Sequence, residues 1–223
     1  MQLFRSMVGR KIVMSVTGFS LVVFVSLHLL GNSSFYYGPG GINTYAAMLH
    51  GLGPFIWLIR SVMLAFLSLH VFFGIQLTLE NRKAKSATYA VTQRLRSTFA
   101  GRSMIWTGLM TGAFLVYHLL HFTFYVTNPE ISAYRHLDIM GRPDVFMMVV
   151  MGFRDLAAVF IYVLALMSLA LHLTHAIQSM FQTVGLNSER SESFLSQAGI
   201  FTAIILFLGF IAVPISVITG IVR

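Results

Sequence analysis

"VYHLLHFTF", residues 116–124, places two histidines in a stretch otherwise suited to hydrocarbon. No Asp, Glu, Lys or Arg occurs between Arg102 and Glu130, so the segment itself offers these imidazoles no ionic partner. A neutral imidazole still carries two polar nitrogens, and polar groups at membrane depth are costly and usually functional. Read as a spanning helix that carries His118 and His121, the stretch sets the pattern for the other apolar segments.

The whole chain has this character. Of its 223 residues, 57% are hydrophobic and only 10% charged, which points to an integral membrane protein rather than a soluble domain. Residues 12–59, 61–79, 103–129, 156–188 and 193–222 are free of charge. About 20 apolar residues cross a bilayer. The expected fold is therefore all-α, a single bundle of five transmembrane helices over residues 1–223: I at about 12–32, II at 55–80, III at 103–126, IV at 153–181 and V at 198–221. The Gly- and Asn-rich "GNSSFYYGPGGINTY", residues 31–45, is expected to break the helix between I and II, and Pro214 to bend V. The apolar run after Arg5, Arg10 and Lys11 is long for a signal peptide and lacks a convincing cleavage site, so it reads as helix I. No internal repeat and no soluble domain is expected.

Several chemistries are excluded at this level. Cysteine is absent, so the chain offers no disulfide, thiolate nucleophile or cysteine-ligated iron–sulfur cluster. All seven acidic residues lie at or beyond the ends of apolar runs, and no two are placed as a buried general acid and base. The formal charge of +8 follows topology rather than nucleic-acid binding. Ten of the fifteen basic residues fall on one side: Arg5, Arg10 and Lys11 before helix I, six between Arg82 and Arg102, and Arg190 between IV and V. By the positive-inside rule that side, with the N-terminus, is cytoplasmic, and the C-terminus is outside.

Helices I to IV each carry histidine, and V carries none. Counted from the cytoplasmic edge at about 1.5 Å per residue, His28 and His118 stand roughly 25 Å up, and His70 and His172 roughly 15 to 20 Å up. Two imidazoles from two helices at each level suit two six-coordinate haems b: His28 with His118 at the outer one, His70 with His172 at the inner one. Gly74 and Ala176, one turn after the inner ligands, leave room for a porphyrin. Zinc or copper would lack the Cys or carboxylate that completes a shell, and a proton-coupled transporter would want buried carboxylates. His121 and His175 lie one turn along the same faces as His118 and His172; they read as hydrogen-bonding residues or as quinone contacts, and His175 is the alternative inner ligand. Arg10, Ser15, Arg102, Trp106 and Gln178 are candidate haem-propionate contacts. Gly108 and Gly112 read as a helix-packing pair.

In order and spacing, "VSLHLLGN", "LSLHVFFGIQL", "WTGLMTGAFLVYHLLHF" and "LALHLTHAIQSMFQTVGLN" resemble the dihaem cytochrome b anchor of succinate:quinone oxidoreductases, the group of succinate dehydrogenases and quinol:fumarate reductases. The resemblance covers nearly the whole chain and implies the same four ligands, His28, His70, His118 and His172. It further implies a bacterial cytoplasmic-membrane subunit held by a flavoprotein and an iron–sulfur subunit, exchanging electrons with menaquinone or menaquinol, with a dimer of such heterotrimers as one assembly. Quinone is expected near the outer haem, at the outer ends of helices I to III and the 43–53 loop. Dihaem fumarate reductases can carry an acidic residue two positions before the helix IV ligand; here that position is Ala170. The leaning is toward fumarate reduction with menaquinol, as in anaerobic respiration, with succinate oxidation as the other direction. The alternatives are an anchor for a formate or hydrogen dehydrogenase, or a haem-free transporter.

The charge distribution makes topology directly testable. A reporter fused after Arg223 is expected to read as extracytoplasmic and one inserted near Lys85 as cytoplasmic; the opposite pattern would invert the two haem levels.

Overall fold

The computed structural model of the chain describes residues 4, 6–84, 99–186 and 188–223. Arg5 and the basic segment 85–98, expected to face the cytoplasm and a soluble partner, lie outside the described residues. The order is α1 (Met7–Ser33), α2 (Gly38–Gly51), α3 (Pro54–Ala84), α4 (Phe99–Phe122), α5 (Val145–Phe153), α6 (Leu156–Thr183) and α7 (Glu189–Ile218). Five segments are long and apolar enough to cross a membrane: α1 continued into α2, then α3, α4, α6 and α7. The chain is thus all-helical and has the make-up of a multi-pass membrane protein. Pro214 lies inside α7 without ending it.

The expected loop after helix I is mostly helix. Side chains of Asn32, Ser33 and Ser34 bond back to the carbonyls of His28, Leu29 and Gly31, which closes α1 into a short 3₁₀ turn, Ser34–Tyr37. Gly38, at φ 71°, then redirects the chain into α2. Gly31 serves close approach rather than flexibility: a Cβ there would stand 2.5 Å from the Tyr45 hydroxyl. Helix III was also placed too long at its end. α4 stops at Phe122, and the turn beyond it puts Tyr125 at φ 55°, a left-handed conformation with no glycine to announce it.

α5 was not foreseen as a separate helix. Its nine residues are too few to span, yet six of them, including Phe146, Val150 and Phe153, are buried. They form the main hydrophobic core with Phe35, Ile42, Ile131 and residues of α6 and α7, all at one end of the bundle, called here the capped end. Asn43 pins this cap. It is fully buried, accepts from the Phe146 N–H at 2.9 Å and donates to Asp144 at 3.1 Å. A buried polar group left without such partners costs about 1–3 kcal/mol, so the network ties α2 to α5. Beside it the Arg142 guanidinium holds the Asp138 carboxyl down to about 2. A lowered carboxyl stabilises the fold above its ordinary value near pH 4 and loses that contribution as pH falls toward 2, so this latch is intact at neutral pH. The opposite end carries Arg10, Lys11, Arg82, Lys83 and Arg102 and is called the basic end.

Candidate functional site

α1 packs along α3 and α4 along α6, while α7 lies chiefly on α6. Toward the basic end, His70 leaves α3 for α1, where its ring rests on Gly18: a Cβ there would stand 3.1 Å from Cε1. Nδ1 of His70 is 3.2 Å from the Met14 carbonyl and 3.4 Å from Thr17 Oγ1. Thr17 is buried, and its single hydroxyl hydrogen is directed to the Val13 or Met14 carbonyl of its own helix. Toward His70 the hydroxyl can then only accept. Both neighbours of Nδ1 are acceptors, which places the ring proton on Nδ1 and leaves Nε2 with a bare lone pair.

His172 repeats this arrangement on α4. A Cβ at Gly108 would stand 3.1 Å from its Cε1, and Thr107 Oγ1 lies 3.3 Å from its Nδ1. The Met104 carbonyl interacts with the same ring, and the Thr107 hydroxyl hydrogen is directed to the carbonyl of Ser103 or Met104. The His70 and His172 rings face each other with centroids 6.4 Å apart and planes at 73°.

At the capped end His28 of α1 meets His118 of α4, with centroids 6.0 Å apart and planes at 85°. Phe24 stacks on His28 at 5.8 Å, and Phe114 lies 5.9 Å from His118. Nδ1 of His118 is 3.0 Å from the Tyr162 hydroxyl. The four helices thus bring together the two pairs expected from depth. Thr17 and Thr107, which touch the first pair, each precede the second-pair histidine by eleven residues, about 16 Å of helical rise. This is wider than the 5 to 10 Å inferred from the sequence, because α3 and α6 run on past the level of Lys11 and Arg102.

None of the four Nε2 atoms hydrogen-bonds within the described residues. An imidazole joined to a metal by a bond of about 2 Å has its ring centre about 3 Å from the ion, so two on opposite sides stand about 6 Å apart. Both observed separations match one metal between each pair. Among the described residues no three His, Cys, Asp or Glu gather to hold a bare ion. Two axial imidazoles suit instead an iron whose equatorial donors come from a porphyrin. Haem therefore fits the residues present.

The remaining candidates separate. Arg10 pairs with Glu80, and its Nε is buried with no partner among the described residues, a donor suited to a propionate. Ser15 is buried on the same helix. Arg102 is exposed at the start of α4, Trp106 is exposed beside a groove that also holds Arg82, and Gln178 is half-buried on α6. His121 is 3% exposed, enclosed by Phe122 and Tyr162 rather than facing an opening. His175 is not opposite His70; His172 is. Gly108 receives the His172 ring, whereas nothing lies near Gly112, so the two glycines are not one packing pair. A cavity of about 540 Å³ at the capped end is lined by His50, Trp57, Arg60, Thr123, Phe124 and Tyr134, with Arg60 over the Trp57 ring at 4.9 Å.

Superposed roles expose an internal repeat, contrary to the expectation of none. Met14, Thr17, Gly18, Phe24 and His28 recur ninety positions later as Met104, Thr107, Gly108, Phe114 and His118. Leu67, Leu69, His70, Ile75 and Gln76 recur 102 positions later as Leu169, Leu171, His172, Ile177 and Gln178. The repeat rests on few identities, which is why it escapes a reading for composition; the shared M-x-x-T-G and H-x4-I-Q spacings were the available signal.

Either Gly18→Val or Gly108→Val is expected to drive one ring off the His70–His172 axis. Haem content by pyridine haemochrome should then fall by half, with the capped-end pair still loaded. Two haems in both variants would show that the close approach is dispensable. Compared with family models, curated proteins and solved structures, the chain matches none of them.

Proposed function

We propose that the chain is a dihaem cytochrome b, the membrane anchor and electron-transfer subunit of a quinol:fumarate reductase or succinate dehydrogenase in a bacterial cytoplasmic membrane. The observation that carries this reading is the geometry of the two facing imidazole pairs, each with its Nε2 atoms free and ring centres about 6 Å apart. The haems, when bound, supply one-electron carriers at two depths. The rest is the work of side chains: His28 with His118 and His70 with His172 hold the irons, Thr17 and Thr107 fix the inner tautomers, and Arg10 offers its buried Nε to an anion.

The basic end faces the cytoplasm in this reading, where the iron–sulfur and flavoprotein subunits dock. The quinone site is the cavity at the capped end. Its volume suits a quinone head group, Trp57 and Phe124 supply flat apolar walls, and Arg60, His50, Thr123 and Tyr134 supply polar contacts. Oxidation of a menaquinol there releases two electrons into the protein and two protons on the outer side. Ala170 packs against the α7 side, near Leu173 and Leu206, so the acidic proton route of some dihaem fumarate reductases has no counterpart at that position.

Haem counting tests the core of this reading. The purified chain should hold two b-type haems. His28→Ala or His118→Ala should remove one, and His70→Ala or His172→Ala the other. A chain without haem sinks the proposal, and co-purification with a formate or hydrogen dehydrogenase would reassign the complex. For the cavity, Arg60→Ala should lower menaquinol oxidation at least about tenfold, as expected for one charge-assisted hydrogen bond of about 1.5 kcal/mol, with both haems retained. Unchanged turnover would move quinone elsewhere.

A further inference from the structure

The internal repeat makes the two ends of the bundle comparable, and they are not alike. At the basic end both histidines have their Nδ1 atoms on a threonine hydroxyl of the neighbouring helix, one from each half of the repeat, and His70 Nδ1 also lies on the Met14 carbonyl. At the capped end the repeat breaks. His118 has a side-chain partner from α6, Tyr162, and His28 has none among the described residues. Tyr162 lies ten residues before His172; the position ten residues before His70 is Arg60. The phenol therefore belongs to one half only, and duplication does not account for it.

Its placement is tightly determined. Tyr162 is 6% exposed, and its ring is held edge-on by Phe114 at 4.8 Å and Phe153 at 4.9 Å. The hydroxyl projects between two imidazoles, 3.0 Å from Nδ1 of His118 and 3.3 Å from Nδ1 of His121. Gly152 makes this possible from the other side: a Cβ there would stand 2.6 Å from the Phe122 ring and 3.4 Å from His121 Cε1.

We propose that Tyr162 is a positioning residue for the capped-end iron and, with His121 behind it, sets the electron-donating strength of His118. This rests on the dihaem reading above. With Nε2 of His118 committed to iron, its Nδ1–H donates to the Tyr162 oxygen. The phenol hydrogen then donates to Nδ1 of His121, which accepts. A ligand imidazole that donates a hydrogen bond is a stronger base toward its metal and favours the oxidised iron. The relay to His121 makes the phenol oxygen a better acceptor than an isolated hydroxyl, since a hydroxyl that donates is polarised toward accepting.

The test uses Tyr162→Phe in the assembled complex, which keeps the ring and its aromatic neighbours. Two haems should remain by pyridine haemochrome. In a redox titration the midpoint of the capped-end haem, identified as the one lost in His28→Ala, should move upward, and its low-spin electron paramagnetic resonance signal should shift. The basic-end haem should keep both values. Unchanged midpoints and spectra, or equal shifts of both haems, would overturn the proposal. If Tyr162→Phe loses the capped-end haem, His121→Asn decides: an upward shift confined to that haem supports the relay, and no shift overturns it. A wild-type complex without haem would refute the dihaem reading itself, whereas two haems with no response to these variants would refute only the role of Tyr162.

Discussion

Everything distinctive in this bundle depends on how four imidazoles are kept inside it without charge. A histidine between apolar helices must satisfy two nitrogens, and here the protein satisfies one in His70, His172 and His118, while the His28 ring has no hydrogen-bond partner among the described residues. Thr17 and Met14 on one side and Thr107 on the other accept at Nδ1 at the basic end, and Tyr162 meets Nδ1 of His118 at the capped end. The second nitrogen of each ring has no hydrogen-bond partner among the described residues, and the two rings of each pair stand with centroids about 6 Å apart. The glycines at 18 and 108 are part of the same arrangement, because a ring that rests on a helix backbone leaves no volume for a side chain.

The repeat explains why two sites of the same construction stand one above the other. α1 with α3 and α4 with α6 are two copies of one hairpin, each with an early contact at its M-x-x-T-G segment and a histidine eleven residues beyond the threonine. Neither copy can complete a site alone, since each pair takes one ring from each copy. α7, which has no histidine, packs on α6, and its Phe210 lies beside His28. The symmetric part of the molecule is thus the part that holds the pairs, and the departures from symmetry lie at the capped end.

Those departures give the two ends different characters. The capped end has its own apolar core, built from α2, α5 and the ends of α6 and α7 and pinned by Asn43. It also has the cavity with Arg60 and His50, and the enclosed Tyr162–His121 pair. The basic end has a half-buried ion pair between Arg10 and Glu80 and a guanidinium nitrogen with no partner among the described residues. An electron carrier between a membrane quinone and a soluble partner needs unlike ends of this sort, one shaped for a small amphipathic molecule and one for a charged surface.

Much was legible in the sequence because it followed from short-range rules. Runs of uncharged residues require helices wherever no water reaches the backbone, so the five apolar helices could be located from charge alone. The pairing of His28 with His118 and of His70 with His172 followed from a constant rise per residue, whereas the spacing between the two levels did not. What the sequence left open were matters of who faces whom. His172 rather than His175 opposes His70 because of the rotation of α6 against α4, a quantity that a three-residue spacing on one helix does not contain. The "GNSSFYYGPGG" stretch reads as a breaker by composition, yet its Gly31 admits Tyr45 and its serines bond to α1, so helix resumes at once. α5 is too short to be recognised as a span and is stable only because the ends of three other helices bury it. Tyr162, one tyrosine among eight in the chain, is singled out by nothing in its sequence neighbourhood. Its hydroxyl meets His118 and His121 across more than forty residues, and only the packing of α6 on α4 brings them within reach of one hydrogen bond.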